Sequence, residues 1–164
     1  MGLFADLRLV IESVGWATVA TVDSSGRPYT RLLHPAWEFA DDGRPVVGWI
    51  GTSPTAIKRS HLRRSPNVSV AYWSPAQDTA NLECAATWET DREARRHAWE
   101  VFRSSPPPMG YDPAPIWPDG PDSESFGLLR LVPYRARVRL LADLIAKRPV
   151  RMHVFDPAPA SPAG

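Results

Sequence analysis

The chain carries a single cysteine, Cys84, in 164 residues, which excludes an internal disulfide and any multi-cysteine zinc site. It also lacks charge of a dominant sign: 19 Lys and Arg against 18 Asp and Glu leave a formal net charge of +1. No bulk field draws such a chain to nucleic acid or an anionic membrane, so any basic site must be local. No apolar run has the length of a membrane span, and Asp6 and Arg8 interrupt the first apolar stretch. The expectation is a cytoplasmic protein with neither membrane nor nucleic-acid partners. No Gly-x-Gly-x-x-Gly follows a strand pattern, which disfavours a Rossmann domain, and no Gly-x-Ser-x-Gly elbow points to a hydrolase. His34, His61, His97 and His153 show no ligand spacing with carboxylates, so no metal is expected, and the last three read as structural or solvated. Cys84, between Glu83 and Ala85 in a strand pattern, reads as a buried, inert thiol.

What the chain does have is proline and tryptophan, 18 and 7 residues, and these punctuate a readable pattern. Leu3, Phe4, Leu7, Val10, Ile11 and Val14 recur at helical spacing and predict an amphipathic helix ended by Gly15. Trp16 to Val22 and Tyr29 to Phe39 flank the turn residues Asp23 to Pro28, a hairpin signal. A third strand, Pro45 to Ile50, follows a second turn and suggests an antiparallel meander. Ser53 as N-cap and Pro54 at the first helical position open a short helix over Ala56 to Arg64. Strands are expected over Val68 to Trp73 and Asn81 to Glu89. A capping box at Thr90 to Glu93 starts a helix running to about Phe102. Leu128 to Val132 and Tyr134 to Leu141 are the last strands, hinged at Pro133. Seven prolines between Arg103 and Pro121 exclude helix and central strand there. The insert 104–125, with Met109, Tyr111, Ile116 and Trp117, reads either as a lid or dimer arm or as a surface loop packing its own tryptophan. Residues 1–145 are expected as one domain and 146–164 as a mobile Pro/Ala-rich tail. Strands without regular strand–helix alternation predict a mainly β, antiparallel barrel with flanking helices.

The segment that carries chemistry is Trp49-Ile50-Gly51-Thr52-Ser53-Pro54-Thr55-Ala56-Ile57-Lys58-Arg59. A strand runs through small and hydroxyl residues into a helix start with a lysine inside the first turns. Unpaired backbone N–H groups and the helix dipole favour an anion there. Thr52 and Ser53 add donors, Lys58 and Arg59 add charge, and Arg31 on the neighbouring strand brings a planar fork suited to phosphate. The alternative is an ordinary capped helix with solvated basic residues.

At this point the order of elements resembles the pyridoxamine 5′-phosphate oxidase-like flavin proteins. The residues that carry the resemblance are Gly26 and Pro28 at the hairpin turn and Thr30-Arg31-Leu32-Leu33-His34 on the next strand. They continue with Gly48-Trp49-Ile50-Gly51-Thr52, then Lys58 followed by Leu62, and Ser65-Pro66-Asn67-Val68-Ser69-Val70. The resemblance spans about Leu3 to Leu141 and implies an antiparallel split β-barrel homodimer. Its implied cofactor is FMN, or alternatively the deazaflavin coenzyme F420, in a cleft between subunits. Carried over by position, Arg31 and Lys58 hold the phosphate, with Arg59 as further basic charge. Thr52 and Ser53 bond to phosphate or the sugar-alcohol chain, Leu32 and Leu33 lie along the ring edge, and His34 sits near phosphate or ring. Trp49 or Trp73 would stack near the isoalloxazine. The chain departs from the oxidase itself at its end, Arg148 to His153, which does not match the segment that grips the phosphorylated substrate. The implied activity is hydride transfer between the flavin and a small organic substrate, with no particular catalytic residue marked. The alternatives are a non-catalytic flavin- or haem-binding or sensor protein, for which His34 is the one strand histidine suited to axial ligation.

Overall fold

The order of strands decides the architecture. The computed structural model describes residues 2–155. Helix α1 (Leu3–Val14) leads into strands β1 (Ala17–Val22), β2 (Pro28–Leu33), β3 (Ala36–Phe39) and β4 (Pro45–Thr52). Helix α2 (Ala56–Arg64), strands β5 (Asn67–Trp73) and β6 (Thr79–Glu89), and helix α3 (Arg92–Ser104) follow. Strand β7 (Gly127–Arg139), helix α4 (Leu141–Ile145) and strand β8 (Arg151–Val154) complete the described residues. All pairings are antiparallel, along the path β2-β1-β5-β6-β7-β4-β3, with β8 beside β7.

Strands β2 and β3 stand at opposite ends of that path, yet only His34 and Pro35 separate them in the chain. Leu33 to Ala36 is three peptide steps, roughly 11 Å at full stretch. The sheet must therefore curl until its two ends meet. The result is a mainly antiparallel β-barrel, unpaired along one seam and flanked by helices, as the residue pattern and the resemblance led one to expect.

Alternation along the strands fills the barrel. On β6, Ala80, Leu82, Cys84 and Ala86 point inward, and they pack with Val19, Ile50, Val70, Leu131 and Val138. Leu7, Val10 and Ile11 of α1, all at most 2% exposed, join the same cluster. A second cluster lies on the far side of β3 and β4, where α3 and the insert pack Trp49, Trp99, Phe102, Trp117 and Phe126. Gly48 permits this two-sided arrangement, because a Cβ there would meet the Trp37 ring at 2.9 Å.

Several expectations are corrected. The expected strand from Tyr29 to Phe39 is broken at buried Pro35, which has no N–H for a ladder. Its halves go to opposite ends of the sheet, so there is no meander. The cap of α2 is Thr55, whose side chain accepts from the Lys58 N–H, rather than Ser53. Asp91 caps α3 by accepting from Ala94. Strand β7 runs unbroken through Pro133, because the register shifts there: Cys84 faces Pro133 while Glu83 faces Arg135. A bulge absorbs the missing donor.

The expected loose tail is also revised for part of its length. Arg151–Val154 pairs with β7, from Arg135↔Val154 to Val138↔Arg151. Residues 156–164 of that tail lie outside the described residues. Charge pins the segment: Arg151 Nη1 donates to Asp6 Oδ2 at 2.7 Å and Nη2 to Asp143 Oδ2 at 3.1 Å. Arg148 Nη1 donates to the other Asp143 oxygen at 3.1 Å. Asp6 and Asp143 are only 3% and 7% exposed.

Stability should report this network. Arg151→Ala leaves the Asp6 carboxylate buried without its cation and should cost about 3 kcal/mol. Arg103→Ala, which breaks an exposed pair with Glu100, should cost about 0.5 kcal/mol or less. Urea midpoints of the two variants measure the contrast; equal shifts would refute it.

Candidate functional site

The β1–β2 register sets Tyr29 opposite Thr21 and Arg31 opposite Val19. Strand parity then turns Tyr29 and Arg31 toward α2, while Leu32 points outward and is 70% exposed. The Arg31 guanidinium lies 4.4 Å over the Tyr29 ring. Its Nη1 donates to Thr21 Oγ1 at 2.8 Å. Its Nη2 is buried and has no hydrogen-bond partner.

The second cation comes from α2. Lys58 Nζ donates to Thr52 Oγ1 at 2.8 Å and to the Ser53 carbonyl at 2.9 Å. An ammonium has three donors, so one remains, as does the hydroxyl proton of Thr52. Burial holds the Lys58 amine below its ordinary value, and the neighbouring Arg31 charge pushes it the same way. Burial likewise lowers Arg31, opposed by Tyr29. None of the ion pairs among the described residues involves Arg31 or Lys58. Each of these partly desolvated cations is bonded to a threonine hydroxyl, the Arg31 charge is felt at Lys58, and neither is paired with a carboxylate among the described residues.

From Thr52 and Ser53 a cavity of about 660 Å³ opens, walled by Trp16, Leu32, Leu33, His34, Gly51 and the insert residues Tyr111, Asp112, Pro115, Ile116 and Trp117. That size suits a small-molecule cofactor. The insert is thus part of the cavity wall. His34 lies between the rings of Trp16 and Tyr111, at 4.9 and 4.6 Å. Its Nε2 bonds to the Pro108 carbonyl at 2.8 Å. Burial lowers the pKa of His34, against the raising effect of backbone bonds to Pro108 and Met109. A Cβ on Gly15 would collide with the Pro108 carbonyl, so this glycine lets the insert lie against the barrel.

The expected site residues therefore divide. Arg31, Thr52, Ser53 and Lys58 converge, and Leu32, Leu33 and His34 border the adjoining cavity, the two leucines on opposite faces of β2. Trp49 is not among them. It is 5% exposed in the cluster under α3 and donates to Glu38 Oε1 at 2.6 Å. Arg59 turns away as well: its Nε donates to the Pro54 carbonyl, and its guanidinium lies 5.3 Å over Trp88. Trp73, 63% exposed, lines a neighbouring groove with Trp16 and Leu32. Sequence reasoning missed Thr21, Tyr29 and His61, whose ring accepts or donates at Thr21 Oγ1 through Nδ1 at 2.9 Å. The available signals were hairpin register for Thr21 and Tyr29, and the i, i+3 spacing of Lys58 and His61.

The barrel with its seam, flanking helices and cleft has the fold of the pyridoxamine 5′-phosphate oxidase-like split barrels. No family model matches the sequence, and no curated protein matches it. Solved structures do. A protein related to general stress protein 26 of B. subtilis (pyridoxinephosphate oxidase family), from Clostridium acetobutylicum, aligns with a TM-score of 0.71 and 12% identity. The alignment covers 93% of this chain and 94% of that one. A pyridoxamine 5′-phosphate oxidase-related, FMN binding protein from Nostoc punctiforme aligns at TM-score 0.57 and 15% identity, covering 94% and 93%. A heme binding protein from Mycobacterium smegmatis aligns at TM-score 0.68 and 16% identity, covering 94% of this chain and 58% of that one. At these identities the likeness is one of fold. No helix among the described residues is long and apolar enough to cross a membrane.

Cys84 lies inside the barrel at 0% exposure, where burial pushes its thiol far above the ordinary value. A thiol reagent at pH 8 should therefore modify the folded protein at least about 100-fold more slowly than the guanidinium-unfolded chain, since thiolate is the reactive form. Comparable rates would place the thiol at the surface.

Proposed function

We propose that this protein binds FMN, with its phosphate on Arg31 and Lys58, and serves as a small flavin-dependent oxidoreductase acting on a small organic molecule. The observation that carries the reading is the pair of cations without a carboxylate, one bearing a buried, unpartnered Nη2. An ester phosphate supplies the missing charge and acceptors. The bound flavin would supply hydride chemistry. The chain's own part is to hold the phosphate, to offer the ring a mostly apolar cavity, and to limit water there.

FMN is favoured over coenzyme F420 because Arg59, which a longer anionic tail would need, is engaged with Trp88 and the Pro54 carbonyl. A haem reading is supported by one structural neighbour and by His34 in the cavity wall. Against it, both faces of that ring are covered and Nε2 is bonded to Pro108. We further propose a homodimer. Trp16, Leu32 and Trp73 are 55%, 70% and 63% exposed around one open groove beside the cavity. An apolar patch of this kind calls for a cover, and a second copy would also shut the cavity from that side.

Fluorescence titration with FMN, riboflavin and coenzyme F420, together with haem titration read at the Soret band, tests the reading. FMN should bind at least about tenfold more tightly than riboflavin, and Arg31→Ala or Lys58→Ala should remove most of that advantage, because charge-assisted phosphate bonds are worth roughly 1.5–3 kcal/mol. Equal affinity for FMN and riboflavin would move the phosphate elsewhere. Reduction of bound flavin by a nicotinamide donor, with reoxidation by a screened acceptor, separates enzyme from binder.

A further inference from the structure

His61 is a buried histidine for which the phosphate reading has no task. It lies on α2 one turn beyond Lys58, is 8% exposed, and meets the Tyr29 ring edge-on at 5.9 Å. Its Nδ1 is 2.9 Å from Thr21 Oγ1, the same oxygen that accepts from Arg31 Nη1 at 2.8 Å. Histidine, hydroxyl and guanidinium thus form one chain that ends at the unpartnered Nη2.

The direction of the protons in this chain follows from elimination. A guanidinium only donates, so Thr21 Oγ1 accepts from Arg31. Thr21 is 5% exposed, and its own proton needs an acceptor, since a buried unpaired donor is costly. Nδ1 of an uncharged His61 is that acceptor. The charged or titratable groups around His61 are Tyr29 and Arg31 on β2 and Lys58 on its own helix, with Arg63 and Arg64 exposed further along α2. β1 contributes the neutral Thr21. No ion pair among the described residues brings a carboxylate to His61.

We propose that His61 is a positioning residue that couples ligand binding to a proton: a dianionic phosphate ester on Arg31 and Lys58 draws one proton from solvent onto His61 Nδ1. The protonated ring then donates to Thr21 Oγ1, and the Thr21 O–H turns from His61 to an oxygen of the ligand, directly or through one water. One N–H bond forms on His61 as one N–H bond of the buffer acid breaks, and no covalent bond of the ligand or of the rest of the protein changes. The inference rests on the phosphate reading above. It makes affinity for the dianion fall as pH rises, because a histidine loses its charge in the neutral range.

The experiment is calorimetric titration of the full-length protein with FMN at pH 7.5, in HEPES and in Tris. A phosphate monoester is already mostly dianionic there, so any proton taken up belongs to the protein. The wild type should take up about half a proton or more, and its affinity should drop roughly tenfold between pH 6.5 and pH 8.5. His61→Asn keeps a hydrogen-bonding group near Nδ1 without a titrating charge. It should still bind FMN, with no uptake and a flat profile. Equal uptake in wild type and His61→Asn, or none in the wild type, overturns the coupling while leaving the phosphate reading intact. FMN bound no better than riboflavin overturns both. Should His61→Asn fail to fold, nitrogen NMR of the wild-type histidines decides: Nδ1 of His61 must change from unprotonated to protonated on FMN addition, and an unchanged signal overturns the proposal.

Discussion

Everything in this fold follows from the two residues that join its sheet's ends. With His34 and Pro35 as the only link between β2 and β3, the seven-strand path has to close on itself. Closure brings the hairpin that carries Arg31 toward the end of β4, where Thr52 and Ser53 lead to α2 and Lys58. In an open sheet, β2 and β4 would lie five strands apart along the path. The candidate site is a product of this closure, and the unpaired seam leaves room beside it for a cavity.

How the chain treats charge elsewhere makes the cradle conspicuous. Asp6 and Asp143 are buried, and each is matched by an arginine from the end of the chain. Glu83 on β6 is clasped by Arg135 and Arg137 on β7. At Arg31 and Lys58 the same chain leaves two cations together without a carboxylate, and burial weakens both. Such an arrangement opposes folding slightly. The well-packed barrel and α1 offset that cost, so the two cations are held together with no carboxylate partner among the described residues. This is the physical basis for expecting the complement from outside the chain.

The sequence made the fold legible because its punctuation is strong. Strand and helix positions followed from turn residues, β-branched runs and the apolar spacing of α1. Pro35 was missed: the expected strand from Tyr29 to Phe39 ran straight through it, and it is in fact the point where the chain changes ends of the sheet. That depends on long-range pairing, which local pattern does not encode. Within the site, Thr52 and Lys58 were readable from the strand end and the helix start where they lie, and Arg31 from its place on the strand after the hairpin turn. Trp49 was misassigned, since parity along β4 turns it toward α3 and Glu38. Arg59 was misassigned because the angular step of about 100° per residue along a helix separates it from Lys58. Tyr29, Thr21 and His61 became visible only once register and helix packing were known.

The insert shows how a proline-rich loop can be an organised wall. Tyr111 and Trp117 both approach Gly51, at 3.1 and 3.2 Å from where a Cβ would be, so the strand's lack of a side chain is what admits them. Trp117 anchors the segment by donating to the Ser125 carbonyl, and Arg95 of α3 ties down Pro121, Ser123 and Phe126 through their carbonyls. His34 fixes the near end through Pro108, and its ring continues the stack from Trp16 to Tyr111. Seven prolines lower the conformational freedom that such a loop would otherwise lose on ordering. The two sequence-level readings of the segment, lid and self-packed loop, therefore meet in one structure: the loop packs its own tryptophan, and by doing so it closes one side of the cavity beside the cationic pair.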